Sequence, residues 1–249
     1  MDGLEWKRSK YKWIVQKYLH LAEAWAVKRS DHLISDSIGI QKYLYSRYKK
    51  TSHYIAYGAH VFYDPDFTQI NYLNITANEY DLIIARLEPE NNIETILDGV
   101  VEANVKRKIL IVGGFKTLFA KYLMDKFKNH TQIVFLGAIY DIKILNNLRY
   151  FSKLYFHGHS VGGTNPSLLE AMASSALICA HKNIFNVSVL GNDAYYFEDF
   201  ADVSQLIATI DKNEFVQSKI ANNLYKIEHE FSWPVICKKY ETFLLECLN

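Results

Sequence analysis

Short apolar runs alternate with helix-forming stretches along the chain from Val100 onward. KRKILIVGG is a β-branched run that ends at Gly113 and Gly114, and TQIVFLGAI repeats this pattern around Gly137. Runs of this length that close on glycine are typical of buried parallel strands at their carboxyl ends. Because a helical stretch follows each run, the pattern predicts an α/β fold with a Rossmann-like parallel sheet and helices on both faces.

Residues 1–60 show a different pattern. It predicts helices over 10–29 and 37–49, a strand over 32–34 and a second strand in HYIAYG. Two strands and two helices are too few to close a sheet of their own. We therefore expect this segment to be a remnant, a piece of a larger domain.

The rest of the chain divides at a polar connector over 61–80. A predicted helix over 233–248 carries apolar residues at helical spacing, and these need a surface to pack against. We expect a complete Rossmann-like domain over 61–215, followed by C-terminal helices over 216–249 that pack back on the N-terminal remnant.

The composition narrows the class of partner. The 249 residues include 28 Lys and Arg against 27 Asp and Glu, so the net charge is +1 and nucleic acid is not an expected partner. The 3 cysteines, Cys179, Cys237 and Cys247, lack metal-ligand spacing, which fits a reducing cytoplasm. Apolar runs stay well below the roughly 20 residues of a membrane span. Contact with the inner face of the cell membrane would therefore be peripheral.

HGHSVGGTNPSLLEAMA places two glycines directly before a helix. Pro166 suits the first turn of that helix, where its missing N–H costs nothing, and Asn165 or Thr164 can cap it. Because Gly162 and Gly163 have no Cβ, several main-chain N–H groups can converge on one point. This arrangement indicates an anion site, most naturally for a phosphate.

Glu170 lies one turn into the same helix and faces the same mouth. Its carboxylate would repel a bare phosphate but can accept hydrogen bonds from the hydroxyl pair of a sugar. Together the loop and Glu170 indicate a nucleoside diphosphate, with phosphate on the amides and ribose on the carboxylate. The alternative is a glycine-rich turn before a buried helix, with Glu170 solvated.

IIARLEPENNIETILDGV places Arg86 at the end of an apolar strand, before a helix that begins near Asn92. A guanidinium at the carboxyl edge of a sheet can reach a diphosphate and neutralise its charge. The alternative is a surface ion pair with Glu88 or Glu90.

These motifs resemble a known family. ARLEPENN, the glycine-ended strands and HGHSVGGTNPSLLEAMA look like the C-terminal nucleotide-sugar domain of a GT-B glycosyltransferase of family 4, in the bacterial rhamnosyltransferase-like branch. MDGLEWKRSKYKW resembles the segment that ends the acceptor-side domain of those proteins, and the likeness covers essentially the whole chain. The resemblance implies a retaining, metal-independent transferase that needs no cofactor. Its substrate would be a nucleotide diphosphate sugar, bound in a cleft between two Rossmann-like domains. Residues 1–60 would be a remnant of the second of these, the acceptor-side domain.

The resemblance also assigns roles to individual positions. Arg86 would contact the donor diphosphate and Glu170 the ribose hydroxyls, and these two are the predicted catalytic residues. The predicted donor-binding residues are Gly162, Gly163, Thr164, Asn165, Asn91, Ile139, Tyr140 and His159. Within this set the glycine loop offers main-chain amides, and Ile139 and Tyr140 fall where the family places the base.

The chain departs from the family pattern at three places. Asn91 stands where many relatives have a lysine, and Gly162 stands where many have a glutamate that faces the donor sugar. The family also usually has roughly a hundred or more residues of acceptor-side domain before the DGLEWKR-like segment, a full domain by ordinary standards. We therefore expect little turnover by this chain alone, and an apolar face that self-associates or pairs with a separate N-terminal half.

Three functions follow from these observations. The leading one is transfer of a sugar, with rhamnose as one candidate, from a nucleotide sugar to a saccharide or lipid-linked acceptor in surface polysaccharide synthesis. The alternative is a non-catalytic nucleotide-sugar-binding fragment or one half of a split transferase. A sugar-nucleotide epimerase is the third, and it would need acid and base carboxylates in the cleft.

Three other motifs are weaker indications of a functional site. Asp64 and Asp66 match a short Asp-x-Asp metal motif but fall in the predicted connector. His157 and His159 alternate along a strand end, so we expect only one of them to face the cleft, and two histidines lack the third ligand of a zinc site. Ser160 has no evident triad partners.

The N-terminal segment combines tryptophans with basic residues and allows two interpretations. It could lie on an anionic membrane, or its apolar side chains could pack on the domain while the basic ones stay solvated. The residues concerned are Trp6, Trp13, Trp25, Lys7, Arg8, Lys10, Lys12 and Lys17.

Overall fold

A computed structural model describes residues 3–8, 10–210 and 214–248. Met1, Asp2 and Ser9 of the N-terminal motif lie outside the described residues. The same holds for 211–213, which come just before the predicted domain boundary after residue 215.

A six-stranded parallel sheet forms the centre of the described structure. The spatial order of its strands is β5-β4-β3-β6-β7-β8, which is the doubly wound Rossmann order. The strands are β3 (Tyr80–Ile84), β4 (Lys108–Val112), β5 (Ile133–Gly137), β6 (Leu154–His157), β7 (Ile178–His181) and β8 (Tyr195–Phe197). The chain winds in opposite directions from β3 and β6, so the topological switch point lies between these two strands.

Both faces of this sheet are buried. Successive strand residues alternate between two cores: Leu82, Leu110 and Tyr155 belong to one, and Ile83 and Ile111 to the other. The strands are therefore continuous apolar runs instead of alternating ones, as expected for a parallel sheet between two helical layers. This confirms the predicted fold class.

The helices begin where the sequence supplies caps. Ser37 accepts a hydrogen bond from the amide of Ile40, and Asn165 caps the helix that follows the glycine loop. The helices are α1 (Trp13–Arg29), α2 (Ile38–Tyr48), α3 (Ile93–Ala103), α4 (Leu118–Lys126), α5 (Ile142–Tyr150), α6 (Pro166–Ala173), α7 (Ile184–Leu190), α8 (Phe200–Thr209), α9 (Glu214–His229) and α10 (Trp233–Cys247). Short 3-10 helices cover Glu5–Lys7, Phe67–Leu73 and Pro89–Asn91.

The N-terminal segment forms a smaller unit around a third core. Strands β1 (Ile34–Ser35) and β2 (His53–Tyr54) pair in parallel, and α1 and α2 pack beside them around Leu4 and Val27. Helix α10 contacts this unit, because the ring of Phe243 stacks on His53 with ring centroids 4.5 Å apart. The C-terminal helix therefore has the surface that its apolar spacing requires.

The outer face of α1 remains uncovered in the described structure. This face carries Trp13, Ile14, Tyr18, Leu21 and Trp25, and the two tryptophans are 63% and 65% exposed. The interpretation that the N-terminal tryptophans pack on the domain is therefore wrong for Trp13 and Trp25, whereas Trp6 packs against the third core. Within the described ranges, none of the helices combines the length and the apolar character that crossing a bilayer requires.

Candidate functional site

A cleft of about 590 Å³ opens at the carboxyl ends of β3, β4 and β6, at the switch point. Open α/β sheets bind their ligands at this position. All the predicted site residues line this one cleft: Arg86, Asn91, Ile139, Tyr140, His159, Gly162, Gly163, Thr164, Asn165 and Glu170. The structure thus brings the predicted site residues together, and their roles toward a ligand stay predictions.

The glycine loop presents its main chain to the cleft. The amides of Gly162, Gly163, Thr164 and Asn165 donate to no other protein group among the residues that the structure describes. Gly162 has a φ of 143°, a left-handed value that favours glycine. The side chain of Asn165 is occupied, because its Oδ1 accepts from the amide of Ser167 at 2.9 Å and caps α6. The loop therefore offers its main-chain amides to an anion.

Arg86 is held by the turn that follows β3. Its carbonyl oxygen accepts a hydrogen bond from Nδ2 of Asn91 at 2.7 Å, while its side chain is exposed to the cleft. The same turn is fastened to the end of β6, because Nδ2 of Asn92 donates to the carbonyl of Gly158 at 2.7 Å. The side-chain amide of Asn91 thus positions the backbone of Arg86.

The alternative interpretation of the motif had Glu170 free in solvent, but the structure pairs its side chain with Arg149. Its Oε2 is 2.5 Å from a terminal nitrogen of Arg149. The Arg149 side chain is 1% exposed and that of Glu170 is 38% exposed, so the pair links the protein interior to the cleft wall. Arg149 also reaches Oγ of Ser167 at 3.4 Å, and that hydroxyl lies 3.0 Å from the hydroxyl of Tyr155. Sequence reasoning missed Arg149, which carries no local signal.

His157 and His159 do not face opposite ways, and that premise was wrong. Residues two apart on a strand share one face, and the two rings stack with centroids 4.4 Å apart. Depth separates them instead, since His157 is completely buried and His159 lines the cleft. Burial, then the charges of Arg86 and Arg8, lower the pKa of His159 to about 4. Burial also lowers the pKa of His157 well below its usual range.

The lowered pKa values predict acid sensitivity. A histidine whose pKa is lowered on folding does not change the free energy of unfolding above pH 6.5. As the pH drops from 6.5 through about 4, it lowers that free energy progressively. For one such group the loss is about 2 kcal/mol at pH 5. We expect the free energy of unfolding, measured by urea titration, to fall from pH 7 to pH 5. In His157→Phe the fall should be shallower, whereas the exposed control His229→Phe should follow the wild type. Equal slopes for all three proteins would contradict this account.

Asp66 has a structural role in the 3-10 helix that follows it. Its Oδ1 accepts from the amide of Thr68 at 3.0 Å, and its Oδ2 accepts from Nε2 of Gln69 at 3.0 Å. These hydrogen bonds lower the pKa of its carboxyl group. The Asp-x-Asp match is thus explained by an N-cap.

The fold is that of GT-B glycosyltransferases. The chain is similar to a glycosyltransferase from Rickettsia africae ESF-5, with 15% identity and a TM-score of 0.75 over 88% of this chain and 64% of that one. It is similar to Anabaena Alr3699/HepE in complex with UDP and glucose, with 16% identity and a TM-score of 0.81 over 92% of this chain and 67% of that one. It is also similar to sucrose-phosphate synthase from Thermosynechococcus elongatus, with 16% identity and a TM-score of 0.76 over 93% of this chain and 62% of that one.

The sequence comparisons match a smaller part of the chain than the structural comparisons do. A family model described as a domain of unknown function (DUF1972) matches residues 1–60. No curated protein matches the chain. The chain spans about two thirds of the length of the three structural relatives described above. The likenesses establish the GT-B fold, and the family 4 rhamnosyltransferase-like branch stays a prediction.

Proposed function

We propose that the cleft binds the nucleoside diphosphate part of a nucleotide sugar and that the chain is the donor-binding part of a glycosyltransferase. The observation that carries this proposal is the convergence of the glycine-loop amides and Arg86 on one cleft at the switch point. Main-chain amides and a guanidinium together suit a diphosphate. Glu170, held by Arg149 at the same cleft wall, supplies the acceptor that ribose hydroxyls require.

In this proposal the residues act on the leaving group. As the bond between sugar and diphosphate breaks, negative charge grows on the β-phosphate, and Arg86 and the loop amides stabilise it. Glu170 orients the ribose, and Ile139 and Tyr140 contact the base. Consistent with the family resemblance, transfer would be retaining and metal-independent. Rhamnose is one candidate sugar, and a saccharide or lipid-linked acceptor in polysaccharide synthesis is the expected second substrate.

Binding of nucleoside diphosphates tests the proposal directly. We expect UDP, dTDP or GDP to bind the chain in EDTA, as measured by isothermal titration calorimetry. Arg86→Ala should weaken diphosphate binding by about 10- to 150-fold, because a charge-assisted contact contributes roughly 1.5–3 kcal/mol. The matching nucleosides should bind both proteins alike. Arg29→Ala, at the end of α1 and away from the cleft, is the matched control.

Two outcomes would contradict the proposal. The wild type could bind none of the three diphosphates at millimolar concentration, or Arg86→Ala could weaken nucleosides as much as diphosphates. The second outcome would place Arg86 in folding instead of in anion binding.

A second candidate, donor binding as one half of a two-part transferase, is favoured by the outer face of α1. Exposed tryptophans in a contiguous apolar face mark surfaces that pack against another protein unit. Positioning of both reactants contributes roughly 7–11 kcal/mol to such reactions, so a donor half alone would bind UDP yet release it from UDP-sugars barely above background. Rapid nucleotide release by the isolated chain would exclude this candidate.

A further inference from the structure

The segment from Gly3 to Arg8 lies over the glycine loop. A Cβ added at Gly3 would be 3.2 Å from the Cα of Gly162, so the two backbones are in close contact. Arg8, at the end of the 3-10 helix Glu5–Lys7, lines the cleft together with the loop. The sequence pattern groups Arg8 with the basic residues of a possible membrane-facing segment, but in the structure Arg8 lines the cleft.

The segment that carries Arg8 is fixed by a partly buried anchor on α1. The indole Nε1 of Trp6 donates to Oε2 of Glu23 at 3.0 Å. Oε1 of Glu23 accepts from the hydroxyls of Tyr43 at 2.5 Å and Tyr48 at 2.8 Å. The neighbouring Leu4 is buried in the third core. One carboxylate on α1 therefore ties the segment to both α1 and α2.

Arg8 itself is held in place on both its main chain and its side chain. Its carbonyl oxygen accepts from Nε2 of Gln16 at 3.1 Å. Its Nε forms an ion pair with Oε1 of Glu5 at 2.5 Å, and its side chain is 17% exposed. Because Glu5 contacts Nε, the terminal nitrogens of the guanidinium are the ones available to a ligand.

Few positively charged side chains among the described residues of the cleft can contact a ligand, and Arg8 is one of them. Among the described residues that line the cleft, the positively charged ones are Arg8, Arg86 and Arg149. Arg149 is buried and paired with Glu170, so Arg8 and Arg86 are the cations that can meet a ligand. Both act on the same ring, because both lower the pKa of His159. Two guanidinium groups in one cleft match the charge of a diphosphate better than one does.

We propose that Arg8 is a second diphosphate-binding residue, which approaches the ligand from the glycine-loop side while Arg86 approaches from the end of β3. This inference rests on the proposed function and adds a residue to it. Arg8 and Arg86 come from parts of the chain that are far apart in sequence, so the cleft binds diphosphate fully only when the N-terminal segment is docked on the loop.

The test compares Arg8→Gln with Lys12→Gln, which removes a charge from an exposed position just after this segment. Calorimetry uses UDP, dTDP and GDP with the matching nucleosides, at low and high salt. We expect Arg8→Gln to weaken diphosphate binding by about 10- to 100-fold and to reduce its salt dependence, with nucleoside affinity unchanged. Lys12→Gln should change diphosphate affinity by less than about twofold.

The outcomes separate this inference from the proposed function. If the wild type binds diphosphates and Arg86→Ala weakens binding while Arg8→Gln does not, Arg8 is not a ligand residue and the proposed function stands. If Arg8→Gln weakens nucleosides equally and lowers the melting temperature, Arg8 is structural and the inference is overturned. If the wild type binds no diphosphate, the proposed function itself fails.

Discussion

Gly158→Ala is expected to lower the free energy of unfolding by about 3 kcal/mol or more and to abolish binding in the cleft. A Cβ at this position would overlap the carbonyl oxygen of Asn91 and would lie 3.1 Å from Cδ1 of Ile96. The position of the Cβ is fixed by its own backbone, and the atom that it meets belongs to the backbone of Asn91, so no change of rotamer relieves the overlap. The end of β6 and the turn before α3 must separate, which breaks the hydrogen bond from Asn92 to Gly158 and displaces Arg86.

Gly114→Ala is the matched control for this prediction. Gly114 lines the same cleft, yet a Cβ built there has nothing within 4 Å. Urea titration should give Gly114→Ala nearly the stability of the wild type, while Gly158→Ala unfolds at much lower urea. If the two variants had equal midpoints and equal diphosphate affinity, the close approach of β6 to the turn would not support the site.

The parallel sheet was predictable because its signal is local. The runs that became β4 and β5 are apolar on both faces and end in glycine, and the structure places their ends beside each other, with Val112 opposite Gly137. Strands β7 and β8 were not identified individually. They have only 4 and 3 residues, too short for periodicity to distinguish a strand from part of a helix. Strand β6 also has 4 residues, but Gly158 follows it directly, and no glycine follows β7 or β8 in this way.

The candidate site was predictable to the extent that its residues follow strand ends. Arg86 and the glycine loop each come directly after a strand, and parallel strands bring their carboxyl ends to one edge. Arg8 and Arg149 could not be found this way. Arg149 reaches Glu170 from the end of α5, and Arg8 reaches the loop only because Trp6 is anchored on Glu23. Both depend on packing between elements that the sequence pattern does not place relative to each other.

The second prediction with a large expected effect concerns the ion pair of Arg149 and Glu170. Arg149→Met removes the charge but keeps most of the side-chain length, so it leaves the Glu170 carboxylate without its partner. Removing one member of a buried ion pair typically costs about 3–5 kcal/mol. Because Glu170 is 38% exposed and partly solvated, we expect a loss near the lower end, about 3 kcal/mol. Arg29→Met, at an exposed position, should change the free energy of unfolding little.

A double-mutant cycle separates the pair from its surroundings. Glu170→Gln leaves the guanidinium of Arg149, 1% exposed, without a counter-charge and should also be strongly destabilising. The double variant Arg149→Met with Glu170→Gln should lose about 1–3 kcal/mol less than the sum of the two single losses. Additive losses would mean that the two side chains do not stabilise each other.

The same variants also test whether Glu170 binds the ribose, if their affinity for nucleosides is measured together with their stability. If Arg149 positions the carboxylate, Arg149→Met should weaken nucleosides and diphosphates by the same factor, about tenfold, although Arg149 touches no ligand. Arg86→Ala should weaken diphosphates alone. Arg149→Lys, which keeps a charge but not the planar fork, should fall between Arg149→Met and the wild type. A loss confined to diphosphates in Arg149→Met would instead assign its charge to the phosphates and leave Glu170 without a role in ribose binding.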